Sequence, residues 1–67
     1  MSVLDCYQIG DLFYDRDVHD SFWIVLDKWE KKTKGTKEYF IRMSRMGDGT
    51  TCDYSEDMVH SCFRRAY

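Results

Sequence analysis

The side chains best equipped for chemistry in this chain are its clustered acids, cysteines and histidines, and their spacing decides what each could do. Asp15, Asp17 and Asp20 invite a calcium reading. A calcium loop opening at Asp15 needs glycine at its sixth position and glutamate at its twelfth. Asp20 and Leu26 stand there instead, so the run reads as a solvated loop between strands. Cys6, Cys52, His60 and Cys62 offer zinc-binding atoms, but no C-x-x-C pair is present, and His60 and Cys62 share a face only if their segment is extended. Buried cysteine acting as a small hydrophobe is the favoured account of them. For nucleophilic catalysis the candidates are the cysteines or a serine, with His19 or His60 as base. Nothing in the sequence places a third residue to orient either histidine, and so short a chain leaves little room for a dry pocket. The expectation is a protein that is not an enzyme and takes neither metal nor cofactor.

The elements that must position such residues are few. A chain of 67 residues is one domain, and at that size only about 60% of the unfolded surface is buried on folding. Aromatic residues at 16% supply large side chains that chain length does not, which argues against disorder. No apolar run approaches the ~20 residues of a membrane span, and the opening MSVLDCYQIGD has an early Asp where a secretion signal is basic and apolar. An odd count of three cysteines lacks the dense, even pattern of a secreted disulfide scaffold. The expectation is a soluble protein with reduced thiols in the cytoplasm, with no membrane partner.

Apolar patterning then divides the chain into strands. Leu12, Phe13 and Tyr14 follow a Gly10-Asp11 turn and read as a first strand. In SFWIVLDKW, Phe22, Ile24 and Leu26 alternate with Trp23, Val25 and Trp29, a strand with both faces partly covered. EKKTKGTKE reads as a long hairpin loop broken at Gly35. YFIRMSRM alternates Tyr39, Ile41 and Met43 against Phe40, Arg42 and Ser44. A Gly47-Asp48-Gly49 turn leads to the short strand TTCDY. Ser55 is an N-cap for one or two helical turns with Glu56 and Asp57 at their start. Phe63 and Tyr67 belong to a last short strand. The core expected from this pattern is Leu12, Ile24, Leu26, Ile41, Met43 and Val59.

Five short strands with one helical turn before the last is the order of an SH3-like barrel. The segments IGDLFYDRD, FWIVLDKW, YFIRM and GDGTTCDYSEDMV resemble small SH3-like or Tudor-like barrel proteins, in particular short proteins of tailed bacteriophages, over roughly residues 8 to 60. The resemblance implies a mainly β, five-stranded small barrel with its core over about 8–67. It also implies an origin in a phage, acting in the host cytoplasm or in a virion. In Tudor-like barrels, aromatic side chains can cage a methylated cation; the counterparts by position are Tyr14, Trp23, Phe40 and Tyr54.

Charge is segregated along the chain. Met1 to Asp27 holds six acids against Arg16 alone, whereas Lys28 to Arg45 holds seven bases against Glu30 and Glu38. A net charge of -2 points to neither nucleic acid nor membrane by itself, but segregation suits docking to a partner of mixed charge. The reading is a protein-binding module, acting on a host protein or within a larger assembly. Its candidate surface is Tyr14, Trp23, Trp29, Phe40 and Tyr54 with the acidic loop Asp15, Asp17 and Asp20. The alternative is single-stranded nucleic acid tracked by Lys28, Lys31, Lys32, Lys34 and Lys37, with Trp29 or Tyr39 stacking on a base.

Overall fold

A computed structural model describes residues 3–18 and 20–66, so His19 and Tyr67 lie outside the described residues. A 3-10 turn over Val3–Cys6 leads to β1 (Leu12–Asp15), β2 (Phe22–Thr33), β3 (Thr36–Arg45), β4 (Thr51–Ser55), the helix α1 (Glu56–Cys62) and β5 (Phe63–Arg65). The protein is mainly β. Its five strands form one antiparallel sheet in the order β4-β3-β2-β1-β5. Among the described residues β4 and β5 are the two edges of that sheet and are not paired with each other.

Local chemistry explains where the elements begin and end. The Ser55 hydroxyl accepts from the Met58 N–H at 3.3 Å, capping α1, with Glu56 and Asp57 in the first turn. Asp11 closes the turn before β1, its carboxylate accepting from the Gln8 N–H at 3.0 Å. Between β3 and β4 the chain turns through Gly47 and Gly49, both at positive φ, and Asp48 accepts from the Thr50 N–H at 2.9 Å.

The segment expected as a loop, Glu30 to Glu38, is instead a continuation of both strands. β2 and β3 stay paired from Glu30↔Tyr39 out to Thr33↔Thr36. Lys34 and Gly35, with φ of 49° and 79°, make the tight turn between them, since two successive positive φ angles match the twist of a hairpin. The lysines concealed this strand because their charge resembles that of a solvated loop. β1 pairs with β2 only over Phe22 to Ile24, and β4 pairs with β3 only from Phe40 to Ser44. The ribbon beyond Trp29 and Phe40 therefore stands clear of the other strands.

The second departure is a bulge in β2. Val25 pairs with Met43 but Asp27 pairs with Arg42, so Leu26 is an extra residue. Side chains alternate sides along a strand, and one inserted residue reverses the alternation beyond it. Before the bulge Trp23 and Val25 face the core; after it Lys28 lies opposite buried Ile41, and Trp29 passes to the outer face with Phe40.

The core is Tyr7, Phe13, Trp23, Val25, Ile41, Met43, Val59 and Phe63, with Cys52 and Tyr54 packed against it. Of the expected core, Ile41, Met43 and Val59 are buried. Leu12 and Ile24 are only half-buried because they pair with each other on the outer face. Leu26, at the bulge, is 44% exposed. Half of the eight core residues are aromatic, with Trp23 edge-on to Tyr54 and to Phe63 at centroid distances of 5.9 and 5.7 Å. All three cysteines are free thiols.

Arg65 ties β5 to the segment that leads into β1. Its guanidinium donates to the Asp11 carboxylate at 2.8 Å and to the Cys6 carbonyl, and lies 5.2 Å from the Phe13 ring centroid. The hydrogen bond from Arg65 holds the Asp11 carboxyl below its usual range.

Three outcomes test this fold. Ile41→Ala, at a fully buried position, lowers stability by about 2–5 kcal/mol in chemical denaturation. Gly35→Ala lowers it by about 1 kcal/mol, whereas Lys34→Asn leaves it unchanged or raises it, because asparagine tolerates the left-handed region better than lysine. Asp11 has a lower pKa folded than its ordinary 3.8. Its stabilising contribution is therefore complete above that value and is lost as pH falls through the folded one. Asp11→Asn is consequently less stable than the native chain near neutral pH, and the gap closes in strong acid; denaturation midpoints measured across the acid range check it.

Candidate functional site

The bulge and the strand register together assemble a cluster on the outer face of the sheet. Trp29 of β2 and Phe40 of β3 are cross-strand partners, and their rings stack at 5.9 Å with 20° between planes. Stacked rings of this kind add roughly 0.5–1.5 kcal/mol beyond the area they bury. Arg42, two residues along β3, places its guanidinium 5.2 Å from the Trp29 ring centroid. On its other side Arg42 donates to both carboxylate oxygens of Asp53 at 2.8 and 3.2 Å, across the β3–β4 pairing. The pair raises the pKa of Arg42 and lowers that of Asp53. A bidentate pair fixes the guanidinium plane, so the Phe40–Trp29–Arg42–Asp53 row is preorganised at the surface.

Farther along the same face, Leu12 and Tyr14 of β1 pair with Ile24 and Phe22 of β2. Phe22 is 38% exposed and its partner Tyr14 half-buried. Met46, whose N–H donates to the Phe22 carbonyl at 2.8 Å, is 56% exposed.

The proposed surface aromatics thus divide between the two faces. Tyr14, Trp29 and Phe40 are outer-face residues. Trp23 is buried, its Nε1 donating to the Ser21 hydroxyl at 3.2 Å, so it is a core residue and is withdrawn from the partner surface. Tyr54 lies opposite Ile41 on the inner face, packed against Trp23 and Phe63. Burial and a hydrogen bond with Cys52 push its phenol up. With two rings on each face, Tyr14, Trp23, Phe40 and Tyr54 do not converge, and no cage forms from them.

The acidic loop serves its own backbone first. Asp15 Oδ1 accepts from the N–H groups of Asp17 and Val18 at 2.8 and 3.3 Å, while Asp17 and Asp20 are exposed. Among the described residues no group of histidine, cysteine or acidic side chains is gathered closely enough to hold a metal ion. Among them, too, no helix is long and apolar enough to cross a membrane.

The lysines are not one patch. Lys28 turns inward and donates to the Tyr7 carbonyl at 2.6 Å. Lys31 faces Glu38 across the ribbon, Lys32 pairs with Lys37, and Lys34 occupies the turn. Lys37 lies 3.8 Å from Glu30. Register therefore puts Lys31 on the Trp29 side of the ribbon and Lys32 and Lys37 on the other.

Arg42 and Asp53 were not among the residues singled out from sequence. The alternation in YFIRM does place Arg42 beside Phe40 on one face, but its contacts with Trp29 and Asp53 depend on the bulge and on the β3–β4 register. Comparison with family models, with curated proteins and with solved structures finds no match to this chain.

Proposed function

We propose that this chain is a small protein-binding module of the SH3-like barrel type, using the outer face of its sheet around Trp29, Phe40 and Arg42. The observation that carries this reading is the Trp29–Phe40 stack with Arg42 locked beside it. Tryptophan, tyrosine and arginine dominate the energetics of protein interfaces, and rigid anchors lose little freedom when a partner docks. Two features support the barrel type: the first and last strands pair, and a single short helix joins β4 to β5. An origin in a phage, expected from the sequence, makes a host protein or a virion component the partner we propose. The charged ribbon and the acidic loop then orient the encounter, while the aromatic row holds the complex.

The ribbon's lysines favour a second reading, single-stranded nucleic acid. Lys31 lies on the same side as a flat aromatic pair, but Glu38 faces it directly, and Lys32 and Lys37 point the other way.

Affinity isolation from host lysate, with and without nuclease, followed by two variants at two salt concentrations, separates the readings. Trp29→Ala weakens binding of a nuclease-resistant protein by about 2 kcal/mol or more, through faster dissociation. Changing Lys31, Lys32 and Lys34 together to Glu chiefly slows association. A partner lost with nuclease, and with the lysine changes alone, establishes the nucleic-acid reading instead. A protein partner indifferent to Trp29→Ala refutes the outer-face site.

A further inference from the structure

The pairing of β1 with β5 gathers a second site, from residues that flank the lysines on either side in the sequence. A cleft of about 610 Å³ opens at the C-terminal end of α1, lined by Arg16, His60, Ser61, Arg64 and Arg65 with the rings of Phe13 and Phe63 at its wall. No aspartate or glutamate lines it, in a chain whose acids outnumber its bases. Each arginine is held in place by the backbone. Arg16 donates to the Ser61 carbonyl at 3.1 Å, and Arg64 donates to the carbonyls of His60 and Phe63, each at 3.1 Å. The bonds to His60 and Ser61 satisfy carbonyls at the helix end, which lack partners within the helix. Each guanidinium has five N–H donors, so most of those on Arg16 and Arg64 are left over. Among the described residues neither side chain has a carboxylate within ion-pair distance. Arg65 differs, being paired with Asp11.

We infer that this cleft binds a phosphate monoester, its dianionic head between Arg16 and Arg64 and its organic group against Phe13 and Phe63. Planar guanidinium forks match phosphate oxygens, and two of them fixed by backbone contacts lose little freedom in binding. The cleft is much larger than a phosphate group alone, and beside its polar residues it is lined by Cys6, Val59 and the rings of Tyr7, Phe13 and Phe63. That combination of a few convergent polar groups with an apolar wall suits a small organic ligand.

The test is titration of the whole chain with phenyl phosphate, inorganic phosphate and benzoate, followed by amide chemical shifts. Phenyl phosphate gives saturable shifts centred on residues 59–65 and on Arg16, with affinity at least about tenfold above that of either inorganic phosphate or benzoate. Arg16→Gln with Arg64→Gln lowers that affinity at least about tenfold, while Lys31→Gln with Lys32→Gln leaves it unchanged. Because the arginines also cap the helix, Arg64→Lys supplies a milder variant, which keeps the charge and loses the fork, and it also binds more weakly. Shifts that do not saturate, shifts centred on the ribbon, benzoate bound as tightly as phenyl phosphate, or equal losses in the lysine control each overturn the inference.

Discussion

One extra residue in β2 governs how this molecule uses its side chains. Leu26 has no counterpart on β3, and the pairing resumes one position later. Without that insertion Trp29 would lie on the same face as Trp23 and Val25, and Lys28 would project outward. With it, Lys28 reaches inward to the Tyr7 carbonyl and helps to hold the 3-10 turn against the sheet. Trp29 is meanwhile released to stack on Phe40 beneath Arg42. The aromatic content is thereby partitioned into a core set around Trp23 and a surface set around Trp29.

The inner face shows what the first set achieves. Edge-to-face contacts among Trp23, Tyr54 and Phe63 fill the space beneath α1, which contributes Val59 as its one buried residue. A helix of seven residues has little stability of its own. It is held by its Ser55 cap, by Val59 in the core and by arginines on its last carbonyls. Tyr7 joins the same core, and burial together with the nearby Glu56 carboxylate pushes its phenol up. The start of the chain, the helix and the central strands are thus packed into one unit, and the ribbon is what projects from it.

Much of the fold was legible because several signals were local. Ser55 with Glu56 and Asp57 marked the helix start, the Gly47-Asp48-Gly49 turn marked a hairpin, and alternation in YFIRM placed Ile41 and Met43 in the core. What was not legible depended on register. Alternation alone set Trp23 and Trp29 on one face, because nothing in FWIVLDKW announces a bulge. The ribbon reads as a loop because eight of the nine residues in EKKTKGTKE are Lys, Glu or Thr, and its turn is the unusual pair Lys34-Gly35, where Asn-Gly is the common signal. The arginine cleft was invisible for a different reason. Arg16 and Arg64 are far apart in sequence and meet only through the β1–β5 pairing.

The partition of the tryptophans is the claim on which the rest stands, and acrylamide quenching of single-tryptophan variants measures it directly. In Trp29→Phe the remaining Trp23 emits at short wavelength and is poorly quenched, whereas in Trp23→Phe the remaining Trp29 emits at longer wavelength and is quenched several-fold more strongly. Folded variants with equal quenching, or with Trp23 the more accessible, would contradict the bulge and with it the outer-face site.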